Sequence, residues 1–335
     1  MCVLKTWLLL CGLMVVLGLN LAFADEFGPL HVKNRFPLYL MFLSPTPVGA
    51  HGLSAGELRS VLAVDYSAIY FSHANSQWDF LMDMEMTTFD LALAYGLTPR
   101  VTIRLEMPLV SMNGGFLDGF LENYHDALGL PNYGREERPK NTFGYHVANQ
   151  GETWIDGDSD GFQWADMTFS LQYQLTRPNR RRNPWEAALM GRIKFPVGDT
   201  DRGLGSGNYD FGFYLPVQWS RPPWNIYFMP GVAMISDPDP PERRIEARNS
   251  YSFFAGVGYA YTERLNLLIQ VNYMSSPLEN TGISELDDGG LELALGFQYQ
   301  LGRFWAMEFA FCEDLTRAAP DFTLHLGLTW RYLSK

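Results

Sequence analysis

The chain has 335 residues, of which 37 are acidic and 25 basic, so its net charge is −12. This excess of acids argues against nucleic acid as a partner. Only three cysteines occur. Cys2 and Cys11 fall in the N-terminal leader, and Cys312 alone can form neither an internal disulfide nor a cysteine-based metal site.

Residues 1–24 have the features of a cleaved signal peptide. Lys5 gives a positive start, residues 6–21 are almost wholly apolar, and Ala22-Phe23-Ala24 has the small-x-small form of a cleavage site. A membrane anchor is the alternative, but the apolar run is short and lacks a stop-transfer flank. We therefore expect the mature protein to be exported.

Residues 25–56 precede the first predicted strand and are rich in proline. Phe36, Leu38 and Phe42 make this stretch too apolar for a solvated tail. Two interpretations are open. The stretch is either a plug that enters a barrel from the periplasmic side, or a periplasmic segment packed under the barrel rim or paired as an extra strand.

From residue 57 onward, apolar and polar residues alternate in long segments. In Val101–Leu109, for example, apolar side chains at odd positions oppose polar ones at even positions. Each apolar face runs for about ten residues, which is the length that a tilted strand needs to cross a bilayer. Twelve such segments occur: 57–71, 80–96, 101–109, 165–175, 185–196, 209–219, 225–236, 249–262, 266–275, 291–301, 304–315 and 322–332.

These segments predict an all-β fold, a transmembrane antiparallel up-and-down β-barrel of about twelve strands over residues 57–332. The connections alternate short and long, and an even strand number returns the chain to its starting side. Trp185, Trp305 and Trp330 fall near the short turns, as in an aromatic girdle. The predicted location is the outer membrane of a Gram-negative bacterium. A soluble β-sandwich is the alternative, but its strands are seldom so long.

One segment is irregular. The face of 80–96 that carries Phe89 and Leu91 also carries Asp83 and Glu85. We expect either that these acids lie above the lipid or that a β-bulge shifts the register between them and Phe89.

The extracellular loop 113–163, between the third and fourth strands, is too long for an ordinary connection. Phe116, Phe120 and Tyr124 recur at helical spacing and predict an amphipathic helix. This helix could cap or constrict the pore, or it could only cover apolar loop surface. Further along, alternate carboxylates followed by glycine resemble half of a calcium-binding loop, with candidate ligands Asp156, Asp158 and Asp160. No other cofactor is expected.

Several motifs resemble those of an uncharacterised bacterial family, a domain of unknown function placed among outer-membrane barrels. They are Gly28-Pro29-Leu30, Asn34-Arg35-Phe36-Pro37-Leu38, Gly114-Gly115-Phe116-Leu117-Asp118, Gly129-Leu130-Pro131 and Arg135. The stretch 194–199 with 203–207 is similar to a strand-loop-strand element of outer-membrane channels. The resemblance implies a fold and a location but no established activity.

The polar faces of the strands place charges of both signs toward the lumen. The expected lumen-lining residues are Arg59, Asp65, Asp90, Arg104, Glu106, Asp166, Arg192, Lys194, Asp210, Glu292, Glu308 and Arg331. They could form a narrow polar path. Alternatively, they could pair as salt bridges that only fill and stiffen the barrel.

We therefore expect a narrow, porin-like channel or passive transporter of small solutes. The alternative is a structural or surface-recognition barrel with a closed lumen. A lipid-facing esterase needs a Ser-His pair that faces lipid, whereas His325 falls on the predicted lumen face, so we do not expect an enzyme. The expected partners are outer-membrane lipid and lipopolysaccharide, the outer-membrane assembly machinery and an unidentified small solute.

Overall fold

The computed structural model describes residues 27–129, 131–159, 161–176, 184–239 and 246–333. The signal peptide predicted over residues 1–24 lies outside the described residues.

Twelve antiparallel strands form one closed barrel, which confirms the predicted fold class. Each strand pairs with its neighbours in the chain, and the last strand pairs with the first. The strands are β1 (Glu57–Ala74), β2 (Trp78–Thr98), β3 (Val101–Asn113), β4 (Met167–Gln174), β5 (Trp185–Phe195), β6 (Asp210–Tyr214 and Val217–Arg221), β7 (Trp224–Met234), β8 (Ser250–Ala260), β9 (Leu265–Met274), β10 (Gly290–Gln300), β11 (Trp305–Asp314) and β12 (Phe322–Leu333).

Alternation along each strand separates an apolar outer wall from a polar lumen. In β12, Leu326 points outward and is 51% exposed, whereas His325 points into the lumen and is fully buried. Large apolar side chains are exposed in the same way on the other strands, as Phe213 is on β6 and Leu171 on β4. A soluble protein rarely exposes such a continuous apolar surface, but a bilayer covers it with hydrocarbon.

The two ends of the barrel differ in their connections. Most connections at the end we call inner are short turns, and most at the outer end are longer loops. The exception at the outer end is the three-residue turn 75–77 between β1 and β2. Aromatic residues gather near the short turns, where the rings of Trp305 and Trp330 lie 6.5 Å apart and those of Trp224 and Tyr259 lie 4.7 Å apart. Aromatic rings favour the interface between hydrocarbon and water.

The remaining elements are not part of the barrel wall. Three helices occur among the described residues: α1 (Pro37–Leu40), α2 (Asp118–Leu128) and α3 (Ser284–Asp287), with a 3-10 turn at Arg135–Glu137. Short loop strands occur at Gly144–Asn149, Glu152–Asp156, Gln163–Trp164, Glu246–Ala247 and Leu278–Glu279. None of the described helices is long and apolar enough to cross a membrane.

The irregular acids of β2 are covered by the long loop. The pairing of β1 with β2 runs without a register shift past both residues, so the predicted β-bulge is wrong. Asp83 accepts a hydrogen bond from Arg138 Nε at 2.7 Å, and Glu85 Oε1 accepts one from the Phe116 N–H at 2.7 Å. The acids therefore face loop donors at the outer end of the barrel.

Helix α2 packs against the outside of the barrel wall. Leu121, which is fully buried, contacts the outward-facing Ala68 of β1 and Phe322 of β12. Arg135 fixes the loop by pairing with Asp118 at 2.7 Å and with Asp321. Burial raises the pKa of the Asp321 carboxyl, and the Arg135 guanidinium opposes that rise. Because the helix lies outside the lumen, the prediction that it constricts the pore is wrong.

Candidate functional site

Residues 27–56, called here the lumenal segment, lie inside the barrel. The segment runs from the inner end to the outer end, turns through α1, and returns to the start of β1 at the inner end. It forms hydrogen bonds with side chains on strands all around the lumen. None of its residues belongs to a β-strand of the described structure.

The first leg of the lumenal segment lies beside β1 and the last strands. The Leu30 N–H donates to Gln270 Oε1 on β9 at 3.1 Å, and the His31 N–H donates to Glu308 Oε1 on β11 at 2.9 Å. At the outer end, the Tyr39 hydroxyl donates to the carbonyl of Asp288 at 2.9 Å. This leg therefore extends through the whole depth of the barrel.

The second leg lies beside β3 to β6. The Leu43 N–H donates to Asp210 Oδ2 at 2.9 Å, the Thr46 hydroxyl donates to Glu106 Oε2 at 2.9 Å, and the Leu53 N–H donates to Thr102 Oγ1 at 2.9 Å. Further contacts come from Arg192 to the Ser44 carbonyl, from Lys194 to the Met41 carbonyl and from Gln172 to the Ala50 carbonyl. The two legs together leave little room in the lumen.

A chain of charges connects the first leg to the wall. Arg35 Nε donates to Asp65 Oδ2 at 2.8 Å, and Arg35 Nη2 lies 3.3 Å from Asp90 Oδ2. Asp65 Oδ1 lies 2.6 Å from His325 Nδ1, and His325 Nε2 lies 3.0 Å from Glu308 Oε1. Since ionised carboxylates only accept hydrogen bonds, this arrangement favours the doubly protonated imidazolium.

A second cluster of charges holds the other leg. Lys194 Nζ donates to Asp166 Oδ2 at 2.5 Å and lies 3.5 Å from Asp210 Oδ2. Arg192 Nη2 donates to Glu106 Oε2 at 2.7 Å. These pairs are buried, so each charge is compensated inside a region of low dielectric.

An apolar cluster lies in the outer part of the lumen, on the side of β1 and β2. Phe36 and Leu38 of the lumenal segment pack in one core cluster with Phe71 of β1 and with Met82 and Met86 of β2. The rings of Phe36 and Phe71 meet edge to face with centroids 6.1 Å apart. Hydrophobic packing at the outer end thus adds to the ion pairs in the middle of the lumen.

The predicted lumen-lining residues fall into two groups. Nine are buried: Asp65, Asp90, Glu106, Asp166, Arg192, Lys194, Asp210, Glu292 and Glu308. All of them except Glu292 take part in the ion pairs and hydrogen bonds just described. The other three, Arg59, Arg104 and Arg331, are half-buried around a cavity at the inner end. Whether these residues line a solute path stays a prediction.

The predicted calcium loop is only partly described. Asp158 Oδ2 lies 2.9 Å from Arg202 Nη1, and the Asp156 N–H donates to the carbonyl of Asp201 at 2.9 Å. Asp160 lies outside the described residues. Within the described part of the chain, no three His, Cys, Asp or Glu side chains come together as a metal site. The calcium site stays a prediction.

Sequence reasoning missed the partners that the lumenal segment contributes. Lys33 Nζ lies 3.7 Å from Asp90 Oδ2, Arg35 joins Asp65 and Asp90, and His31 contacts Glu308 through its N–H. The only available signal was the apolar character of residues 25–56, which indicated that the stretch is packed against something.

Comparison with known proteins gives the family of this chain. A family described as proteins of unknown function, DUF3187, matches residues 6–332. The chain belongs to the DUF3187 family. The comparison with curated proteins finds no match.

Solved structures give the fold to which this DUF3187 chain is similar. An outer-membrane channel from Pseudomonas putida F1 matches at 16% identity with a TM-score of 0.55, over 84% of this chain and 98% of that one. The NanC porin matches at 10% identity and a TM-score of 0.43, over 82% and 99% of the two chains. The KdgM porin matches at 7% identity and a TM-score of 0.41, over 81% and 99%. The first likeness shows that the fold is that of an outer-membrane β-barrel.

Proposed function

We propose that this chain is an outer-membrane channel closed by its lumenal segment, and that small solutes pass when the segment shifts. The observation that carries the proposal is that residues 27–56 fill the lumen without being part of the wall. Apart from backbone bonds where the segment joins β1, such as that from the Gly56 N–H to the Gly96 carbonyl, the hydrogen bonds between the segment and the strands involve side chains. The segment can therefore move while the barrel ladder stays intact. A twelve-stranded barrel is wider than the eight-stranded kind, whose interior side chains just fill the space.

The proposed location is the outer membrane, with its lipid and lipopolysaccharide as the surroundings and the outer-membrane assembly machinery as the route of insertion. The exposed apolar wall supports this, because leucines such as Leu62 and Leu326 on the outward faces need hydrocarbon around them. The aromatic rings near the short turns also suit a membrane interface.

Single-channel recording in planar bilayers tests the proposal. We expect the full chain to show small or brief conductance steps, and a variant lacking residues 27–50 to show larger and longer ones. A deletion of residues 116–139 removes the same length of chain from the loop outside the wall and serves as the matched control. Equal conductance in the full chain and the 27–50 deletion would refute closure by this segment.

The second candidate is a structural or surface-recognition barrel whose lumen stays closed. The buried ion pairs that Lys33 and Arg35 form with carboxylates of β1 and β2 favour it, because they anchor the segment to the wall. Absence of conductance in the full chain, together with large steps in the 27–50 deletion, would support this candidate over passage. The folded state of each variant is checked by its heat-modifiable migration in gels.

A further inference from the structure

The inner end of the lumen holds a cavity of about 160 Å³. Both legs of the lumenal segment contribute to its walls, together with β1, β3, β6, β10, β11 and β12. Four arginines line it against a single carboxylate, Glu308: Arg59, Arg104, Arg303 and Arg331. Arg59 and Arg331 also lie near Glu57, at 3.2 and 3.8 Å. Counting both acids, the cavity still carries an excess of positive charge.

Glu308 does not compensate these arginines, because its oxygens are already engaged. Its Oε1 accepts the His31 N–H at 2.9 Å and lies 3.0 Å from His325 Nε2. Its Oε2 accepts a hydrogen bond from Gln298 Nε2 at 3.0 Å. The one acid in the cavity wall therefore faces other donors.

Arg104 differs from the other cations that the strands place deep in the lumen. Arg192 pairs with Glu106 and Lys194 with Asp166, but Arg104 donates to the amide oxygen of Gln172 at 2.8 Å. Among the residues that the structure describes, no carboxylate lies within 4.0 Å of the Arg104 guanidinium. A half-buried guanidinium favours a counterion, and its planar fork matches a carboxylate.

Apolar side chains form part of the remaining cavity wall, next to histidine, glutamine and threonine side chains. Phe27, Pro29 and Val48 come from the lumenal segment. Phe304 comes from the turn before β11, and Met307 comes from β11 itself. The volume is close to that of an engineered apolar cavity of about 150 Å³ that binds benzene. The cavity thus offers both guanidinium groups and apolar side chains to one small molecule.

We propose that this cavity binds a small organic anion, a carboxylate attached to an apolar body of about the size of a benzene ring. The Arg104 guanidinium binds the carboxylate, the flanking arginines strengthen the local positive potential, and the phenylalanine and proline side chains contact the apolar body. The inference rests on the proposed function only for the step from binding to passage.

Isothermal titration calorimetry of the full chain in detergent tests the site with benzoate as the probe. Benzyl alcohol is the neutral ligand of the same shape, and inorganic phosphate carries charge without an apolar body. We expect benzoate to bind at least about tenfold more tightly than either, the range for one charge-assisted hydrogen bond. Equal binding of benzoate and benzyl alcohol, or of benzoate and phosphate, would overturn the proposal.

Substitution of Arg104 gives the second arm of the experiment. We expect Arg104→Gln to weaken benzoate binding by about tenfold to a hundredfold, and Arg104→Lys, which keeps the charge but loses the fork, to weaken it less. Lys140→Gln removes a cation from the external loop and serves as the control. This variant should bind benzoate as tightly as the wild type does. Unchanged binding by Arg104→Gln would overturn the assignment.

Binding and conductance separate this site from the proposed function. Benzoate binding by a barrel that conducts no current would leave the anion site standing and remove the transport role. Conductance without benzoate binding would leave the transport role standing and remove the anion site.

Discussion

Arg35 joins the lumenal segment to two neighbouring strands at once. Its guanidinium contacts Asp65 of β1 and Asp90 of β2, and all three side chains are almost fully buried. Through Asp65, the same chain of charges reaches His325 and Glu308. Loss of this one cation leaves each of the two buried carboxylates with a single remaining cationic partner. Arg35 is therefore where a single substitution should most weaken the docking of the segment.

We expect Arg35→Met to weaken that docking by about 3–5 kcal/mol, the cost of removing one partner from a buried ion pair. The measurement is the frequency of channel opening in planar bilayers, which should rise. Lys140→Met is the control, because Lys140 is 54% exposed and its pair with Glu122 contributes at most about 1 kcal/mol. Identical opening frequencies in the two variants would contradict the role given to Arg35.

Two adjacent residues of β1 test the assignment of the faces. Leu62 points outward and is 45% exposed, whereas Val61 lines the inner cavity. We expect Leu62→Arg to reduce the free energy of unfolding by about 2–4 kcal/mol near the bilayer midplane, and Val61→Arg to reduce it by well under half as much. Urea titration of the protein folded into lipid vesicles gives both values. A larger loss of unfolding free energy for Val61→Arg than for Leu62→Arg would contradict this assignment of the faces.

At the scale of single residues, the sequence predicted which side chains enter the lumen but not what they meet there. Alternation is a local property, so the inward position of Asp65 or Lys194 follows from its strand. The partners of these residues, such as Arg35 and the Met41 carbonyl, are separated from them by 30 and 153 positions in the chain. No local pattern encodes such a pairing.

Among the structural elements, the lumenal segment and α2 pack against opposite faces of β1. The segment meets the lumen face of β1 through Asp65 and Phe71, and α2 meets the outer face of β1 through Ala68. The sequence predicted the helix because apolar residues recur at its spacing. It did not predict where the helix packs, because an amphipathic pattern shows that one face is buried but not against which surface.

The packing of α2 on the wall gives a prediction for that element. We expect Leu121→Asp to release the external loop, because it places a charge where a fully buried leucine contacts Ala68 and Phe322. The measurement is faster trypsin cleavage within residues 131–143, while the barrel keeps its heat-modifiable migration. The control is Ala127→Asp, at an exposed position of the same helix. Trypsin should cleave this variant at the wild-type rate. Equal cleavage rates in both variants would contradict the packing of α2 on the wall through Leu121.

The strands themselves were predicted to within a few residues at nearly every end. The largest difference is at β3, which extends to Asn113 rather than ending near Leu109. β6 is interrupted at Leu215 and Pro216, because proline lacks the N–H that a ladder requires. A barrel strand depends on alternation and turn position, which a sequence displays directly. Interruptions and extensions depend on neighbouring strands, which it does not display.

At the scale of the whole molecule, the barrel presents different surfaces to the lipid outside and to the lumen inside. Its outer wall is apolar where strands face lipid. Its lumen carries arginines at the inner end and an apolar cluster at the outer end, where Phe36 and Leu38 meet the methionines of β2. A solute that crosses such a lumen meets arginines at one end and thioethers and aromatic rings at the other. This combination suits an amphiphilic solute, in agreement with the anion site proposed at the inner end.

The central claim, that residues 27–56 occupy the lumen of the closed barrel, is tested most directly by hydrogen exchange of the full chain in lipid, followed by mass spectrometry. The amides of Leu30, Leu43 and Leu53 are buried and donate to wall side chains. We expect the segment to exchange as slowly as the barrel strands. Exchange at the rate of an unstructured tail would contradict the claim.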